Sequence, residues 1–483
     1  MTIKQKTTVL ISGNFNVLHP GHLRLFRFAK ELGSKLIVAV ESDRMAGIHA
    51  HVNEQYRLEG IQSNNWVDEA FIMDQSILQI VEKIRPDIVL KGKEHELKYN
   101  PELETLAKYG GRLVFGSGEV VFSSLDLMRK EFQDVNSGNI IAPIAFMNRH
   151  GISKANLINL IEAYKTLRVC VIGDMILDEY ITCQPLGMSQ EDPTIVVTPL
   201  DSKKFIGGAG IVAAHAAGLG ANSELISVIG DDASAKYVEL ALHEAGVQSN
   251  LIKDDSRPTT LKQRFRTMGK TLLRVSHLHQ GAVSKNLQDK LYEKIISALD
   301  RVDVMIFSDF NYGCLPQELV DKAIFAASKK KVMLLADSQS SSQTGDISRF
   351  YGMKLITPTE REARLAMRDS ESGLVVLAEK LRQQSRAENI FLKLGGEGLL
   401  VHAHNLSEND WITDRVDALN NSPKDVAGAG DSMLVASAMT LAAGGTIWEA
   451  ACLGSLAAAI QIGSVGNKPM NAREMIARCN NAI

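Results

Sequence analysis

The chain has 483 residues, 45% of them hydrophobic and 23% charged, with a formal net charge of −3. That composition supports roughly two or three buried cores, and its near-neutral balance argues against a general pull towards nucleic acid or an anionic membrane. Five scattered cysteines without a Cys-x-x-Cys pair, no signal-peptide pattern in the opening residues and no apolar run of membrane-spanning length point to a reduced, cytoplasmic protein without a zinc or disulfide framework.

In chain order, Val9-Leu-Ile-Ser-Gly13 reads as a short buried strand. Asn14-Phe15-Asn16-Val17-Leu18-His19-Pro20-Gly21-His22 follows, and the run Leu23–Leu32 is helical. Pro20 suits a first helical turn, where its missing N–H costs nothing. Gly21 lets a phosphate come close, and His19 and His22, three apart, can face one anion. Further strands are expected at Leu36–Val40, Ala70–Met73, Ile88–Leu90 and Arg112–Phe115, alternating with helices. This is the pattern of a parallel doubly wound sheet. A helix near Ser124–Phe132 closes the unit, where Ser123 and Ser124 can cap their helix and bind phosphate, or cap it only.

These residues resemble the His-x-Gly-His nucleotidyltransferases, which include cytidylyltransferases and heptose-phosphate adenylyltransferases. The resemblance covers roughly residues 7–133. It implies that a sugar-phosphate oxygen attacks the α-phosphorus of a nucleoside triphosphate and that pyrophosphate leaves. His22, His19 and Lys91 then carry the transfer, while Gly13, Asn14, Phe15, Gly21, Arg57, Gly92, Ser123 and Ser124 hold the nucleotide and its phosphates. Asn16 stands where these enzymes often have Asp, which removes a charge.

Residues 1–135 are expected to form this domain, 136–152 a linker with turn residues Asn136-Ser-Gly-Asn139 and Ala142-Pro143, and 153–483 a second α/β domain. Its helix Lys154–Leu167 precedes a strand at Arg168–Gly173. Ile195–Pro199 and Thr260–Val275 read as β without intervening helices, the latter with a hairpin turn at Met268-Gly269-Lys270. The Ala-rich stretch Ala450–Val465 reads as a buried helix. Most informative is Asp425-Val-Ala-Gly-Ala-Gly-Asp431, leading into the apolar run Ser432–Ala443. Small residues turn the chain, and a helix start then adds free N–H groups and a positive dipole end, making an anion site. An Asp at its lip can take a proton from an attacking hydroxyl.

This half resembles the ribokinase-like (PfkB) sugar kinases over roughly residues 153–470. The opening strand with Asp174 and Asp178, Gly207-Gly208-Ala209-Gly210, the lid strands around Thr260-Leu-Lys-Gln-Arg264 and Arg274, and Lys393-Leu-Gly395-Gly396-Glu397-Gly398 all match. The resemblance implies phosphoryl transfer from ATP to a sugar hydroxyl. Asp431 is then the base, with Lys393, Gly395, Gly398, Ala429 and Gly430 on the nucleotide side. Asp174, Gly207 and Gly208 hold the sugar, and Glu362 holds Mg²⁺ through water. It also implies a small β lid of a kind that pairs across a homodimer.

Together the halves resemble the bifunctional kinase–nucleotidyltransferases of ADP-heptose synthesis, with the two domains in reversed order. The implied partners are a nucleoside triphosphate and a sugar phosphate, with CTP as an alternative to ATP at the first site. Departures touch the expected sugar end: Ile211 replaces an Asn, Asn311-Tyr312-Gly313 replaces a Lys-bearing turn, Thr359 replaces an Asn, and Asp337-Ser-Gln replaces Asp-Pro-Lys. They leave a second reading open, in which the kinase half is a regulatory or dimerisation module beside an active transferase, with CTP and a polyol phosphate as that transferase's alternative substrates.

Overall fold

β1 (Thr8–Gly13) is the centre of the first sheet, and its apolar residues Val9, Leu10 and Ile11 are buried from both sides. In the computed structural model of the chain, the described residues are 7–16, 18, 20–47, 50–92, 100–115, 140–189, 191–192, 194–267, 270–340, 345–405 and 410–482. The chain divides into two compact units, one chiefly of residues up to Asn136 and the other chiefly beyond it.

The first unit has a five-stranded parallel sheet of β1, β2 (Lys35–Glu41), β3 (Glu69–Met73), β4 (Ile88–Lys91) and β5 (Arg112–Phe115), in the order β3-β2-β1-β4-β5. All five strands lie where the sequence places them. The alternation of side chains splits its core in two. Val9, Ile11, Val38 and Leu90 pack with Phe26 and Ile61 on one face, while Leu10, Ile37 and Val89 pack with Ile80 and Leu106 on the other. The strand order reverses between β1 and β4, so Gly13 and Lys91 end on either side of the crevice where such sheets bind ligands. The helix expected near Ser124–Phe132 lies outside the described residues.

The second unit is built on nine strands. These are β6 (Arg168–Gly173), β9 (Asn222–Ile229), β10 (Gln248–Lys253), β13 (Val304–Asp309), β14 (Met333–Ser338), β15 (Leu355–Ile356), β16 (Asn389–Lys393), β17 (Leu399–Asn405) and β18 (Asp410–Val416). The order is β10-β9-β6-β13-β14-β15-β16-β17-β18, parallel up to β16 and antiparallel beyond it. A four-stranded lid combines β7 (Met175–Met188), β8 (Ile195–Gly208), β11 (Thr260–Thr267) and β12 (Lys270–His277), ordered β12-β11-β7-β8. It is larger than expected. β7 runs for 14 residues and is uniformly exposed from Gln184 to Met188, so periodicity could not reveal its outer end. Met268 and Gly269 of the expected turn lie outside the described residues.

The stretch read as a linker needs correction. Ile144–Arg149 is a helix, and Phe146, Met147 and Ile152 belong to the second unit's core. Arg149 and His150 both reach Asp414, and the His150 ring stacks on Trp448 at 3.9 Å. Pro143 of the expected linker immediately precedes this helix, while Asn136–Asn139 lie outside the described residues. The buried helix Ile447–Gln461 opens on a Thr446–Glu449 capping box and packs against the helix Ala429–Ala442. Among the described residues no helix is long and apolar enough to cross a membrane.

Candidate active site

Gly428 sets the geometry of the second unit's site. Its φ of +76° is left-handed, and a Cβ there would lie 2.4 Å from Asn467 Oδ1, so only glycine fits. The turn it makes starts the helix Ala429–Ala442, buried from Asp431 to Leu441. By helix geometry the first-turn N–H groups of Ala429, Gly430 and Asp431 have no acceptor within the helix. All three residues line a cleft of about 900 Å³.

Asp431 is 5% exposed and accepts a hydrogen bond from Gln339 Nε2 at 3.3 Å. Burial and the nearby Asp337 carboxylate push its carboxyl up to about 7, against the pull of Lys393. Lys393 ends β16 and donates to both Asp337 oxygens, at 2.9 and 3.0 Å. Burial pulls its ammonium down, but Asp337 and Glu362 outweigh this and hold it above the usual lysine value, so it stays charged. A Cβ on Gly430 would come 3.1 Å from Lys393 Nζ, so the bare glycine lets the cation sit under the helix start. Glu362 also lines the cleft. Its oxygens accept from the N–H groups of Thr359 and Ser340, at 2.8 and 3.0 Å. The departure at Thr359 thus serves a capping box.

At the sugar end the structure corrects one assignment. Asp174 does not face the cleft. Its carboxylate accepts from the backbone N–H groups of Phe310, Tyr312 and Cys314, at 2.8, 3.2 and 3.1 Å. Burial and Asp309 push it up to about 6, while those amides pull it down. It shapes the Phe310–Cys314 turn. Asp178, four residues on, lines the cleft and is 6% exposed, with Arg264 at 3.5 Å. A Cβ on Gly207 would lie 2.4 Å from Asp178 Oδ2, so Gly207 makes room for that carboxylate. Gly208, Gly395 and Gly398 line the cleft. Ile211 does not touch it: the side chain is fully buried in the core, so this departure removes no cleft contact. Asn311 donates to the Gln339 carbonyl at 3.0 Å and braces the strand end carrying Gln339.

Sequence reasoning missed Ser455 and Asn467, which line the cleft beyond Gly428. They come from distant segments with no motif, and only packing brings them in. The carboxylates of Glu362 and Asp431 suit a hydrated divalent cation better than a bare one. Among the described residues no group of three or more His, Cys, Asp or Glu stands close enough to hold a metal directly. Bound between them and a nucleotide, Mg²⁺ would supply charge neutralisation at phosphate oxygens.

In the first unit, His22 lies in the first turn of the helix Pro20–Leu32, where Gly21 is the second residue. Its ring meets that of Phe15 edge-on at 5.0 Å. Phe15 holds a φ of +52°, unusual for a bulky residue, and its ring is buried in the core. The ring is therefore not available to a nucleotide, which leaves only backbone there. Arg57 also departs from expectation. It is 2% exposed and its guanidinium is spent on Val52 O (2.7 Å), Asn14 O (2.6 Å), Asn14 Oδ1 (2.7 Å) and Asp43 Oδ1 (2.6 Å). It shapes the Asn14 loop, with its side chain fully buried. Asn16 Oδ1 likewise accepts from His51 N and Val52 N. Lys91 pairs with Glu102 at 2.5 Å and Asn100 at 3.0 Å, so its charge is already matched, and Gly92 follows it. Gly13 ends β1. His19, Ser123 and Ser124 lie outside the described residues.

Residues 10–113 match the cytidylyltransferase-like family model, and residues 166–473 match that of the pfkB family carbohydrate kinases. The chain is 29% identical over 306 residues to the bifunctional protein HldE of a Nitratiruptor species, and 30% identical over 314 residues to that of Bradyrhizobium diazoefficiens. These alignments span 62% and 64% of this chain, and 62% of each relative's length. Among solved structures, phosphofructokinase-2 from Escherichia coli aligns with a TM-score of 0.54 at 17% identity, over 65% of this chain and 99% of its own. Arabidopsis thaliana ribokinase aligns at 0.52 and 16%, over 65% and 98%. The nine-stranded sheet with its β lid therefore has the ribokinase fold, and the chain belongs to the pfkB family of carbohydrate kinases.

Proposed function

We propose that the chain is a bifunctional enzyme: a sugar kinase and a sugar-phosphate nucleotidyltransferase that make a nucleotide-activated sugar of the ADP-heptose type. One observation carries the kinase reading. Asp431, with a carboxyl near neutrality, shares one cleft with the Lys393 ammonium beneath it and the Asp178 carboxylate at the sugar end. A hydroxyl positioned by Asp178 gives its proton to Asp431 as its oxygen forms a bond to the γ-phosphorus. The bond from that phosphorus to the β–γ bridging oxygen breaks, and ADP leaves. The N–H groups of Ala429, Gly430 and Asp431, with Lys393, meet the charge on the moving group. Glu362 would help hold Mg²⁺, which would supply charge neutralisation at the phosphates.

The burial of Ile211 supports an active kinase, because the departure that favoured an inert module does not reach the cleft. In the first unit, His22, His19 and the start of the helix Pro20–Leu32 meet the triphosphate, while Arg57 and Lys91 are paired with Asp43 and Glu102. Exposed Leu186, Met188, Ile195 and Leu200 on the outer lid support homodimer pairing there. Both steps run in the cytoplasm. Mass spectrometry of products after incubation with ATP, CTP, Mg²⁺ and heptose phosphates tests the scheme. The expected products are a heptose bisphosphate and an ADP-sugar. Absence of any bisphosphate removes the kinase step, and a CDP product reassigns the nucleotide.

A further inference from the structure

Of the four departures at the expected sugar end, one reaches Asp431. Asp337-Ser338 ends β14, and Gln339 follows it into the cleft wall. The backbone of Gln339 is pinned on both sides. Its N–H donates to Asp309 O at 2.8 Å, and its carbonyl accepts from Asn311 Nδ2 at 3.0 Å. Asn311 holds a φ of +61°, which asparagine tolerates better than most residues. A Cβ on Gly345 would lie 2.4 Å from Asn311 Nδ2, so the bare glycine gives that amide room. Asp309, 2% exposed, fixes the same corner. Its Oδ1 accepts from the Asn311 N–H at 3.1 Å, and its Oδ2 from Ser338 Oγ at 2.8 Å and Arg349 Nη2 at 2.9 Å. From this braced corner the Gln339 side chain reaches Asp431 Oδ1 at 3.3 Å. Among the described residues this is the one hydrogen bond to the Asp431 side chain. An ionised carboxylate can only accept, so the amide nitrogen is the atom that faces it.

We propose that Gln339 is a positioning residue for the proton transfer: its amide holds Asp431 Oδ1 and so turns Oδ2 to the acceptor hydroxyl. The proton passes to Oδ2, and Gln339 neither gives nor takes one. The neutrality of the amide matters as much as its reach. The charged groups acting on Asp431 are Asp337 on β14, Lys393 on β16, Asp178 on β7 and Lys262 on β11, while Glu362 acts on Lys393. Lys393 is itself held by both Asp337 oxygens. A further cation at position 339 would pair with Asp431 and weaken it as a proton acceptor. The amide orients one oxygen without that effect.

This role rests on the kinase reading above, and its test separates the two. ADP release is followed against pH with heptose 7-phosphate, using wild type, Gln339→Met and Gln339→Lys. Gln339→Met keeps the length of the side chain and removes the donor. Its kcat should fall at least about tenfold, the scale of one hydrogen bond to a charged group. KM for ATP and for the acceptor should stay within about threefold, because the lost contact is to the base and not to either substrate. The half-plateau of kcat/KM should move to higher pH in Gln339→Met, since the ionised carboxylate loses a donor. In Gln339→Lys it should move to lower pH by about one unit or more, since an adjacent cation favours the ionised form. An unchanged kcat in Gln339→Met, a loss that appears in either KM instead, or one half-plateau shared by all three proteins overturns the proposal. Urea unfolding gives a readout without turnover. Wild type should lose stability between about pH 5 and pH 8 as Asp431 ionises, and a one-unit shift in Gln339→Lys should shrink that loss by about half. That result supports the contact even if no ADP is released, which would sink the kinase reading alone. An undiminished loss in Gln339→Lys sinks the positioning role.

Discussion

Asp431→Asn should separate catalysis from stability, because one buried charge governs both. The substitution keeps the side chain's shape and its contact with Gln339, so only the proton acceptor is lost. Loss of a general base lowers kcat by about 10²–10⁴-fold. In wild type the base must be ionised, so kcat/KM should rise with pH and reach half its plateau near pH 7. Stability runs the other way. The folded carboxyl titrates above its ordinary value of 3.8, so the native state favours the protonated form. Its contribution is intact below pH 3.8 and is lost as pH rises through about 7. About three pH units at 1.36 kcal/mol each give an upper bound of about 4 kcal/mol on that loss, reached in full above pH 7. The Asp431→Asn protein should therefore be the more stable one at pH 8, with an advantage about 2–3 kcal/mol smaller at pH 5. Kinase turnover is read as phosphate transferred to the acceptor, and stability as urea unfolding of the second unit at both pH values. A variant retaining activity within about threefold of wild type would refute the role of Asp431 as base. A stability difference that does not change with pH would refute the buried charge.

Arg57→Ala should destabilise the first unit by about 2–4 kcal/mol, because Val52 O and Asn14 O lose a buried donor. The transition of the second unit in the same thermal scan should not move, whereas an unchanged first transition would deny Arg57 its structural role. His22→Ala should lower pyrophosphate release at least about a hundredfold if its imidazole stabilises the transferring phosphorus; a near-normal rate removes it from the site. Asp414→Asn should cost about 1–2 kcal/mol, since it weakens the hold on Arg149 and His150. Burial pushes the Asp414 carboxyl up, but His150 and Arg149 outweigh it and bring it down to about 2. That depressed value adds stability above the ordinary carboxylate range and loses it as pH falls towards 2. Urea unfolding at pH 7 and pH 3 should show the penalty of Asp414→Asn shrinking at the lower pH.

The positions of the first unit's strands along the chain and the anion loop were legible because each is written in local residues. Val9–Ile11 and Leu36–Val40 are apolar on both faces, and a strand buried on both faces must lie inside a sheet. Gly428-Ala-Gly430 before an apolar run can turn only into a buried helix start. The choice between Asp174 and Asp178 was not legible, since both lie near one strand end and each is a plausible sugar ligand. The three amides of the Phe310–Cys314 turn, over 130 residues away, take up Asp174 and leave the cleft to Asp178. The partners of Arg57 and Lys91 were not legible for the same reason. A cation's availability depends on which carboxylates and carbonyls fold around it, and Asp43, Asn14 and Glu102 are brought there by tertiary contact.

Local pattern thus determined the two α/β units, the turn chemistry at Gly428 and the kinds of residue each site would use. Tertiary structure decided which charges remain unspent. The second unit's cleft raises Asp431 towards neutrality, while in the first unit Lys91 is paired with Glu102 and Arg57 with Asp43. The reason is that charge and solvation are set by everything within a few ångströms, and most of that neighbourhood comes from distant parts of the chain.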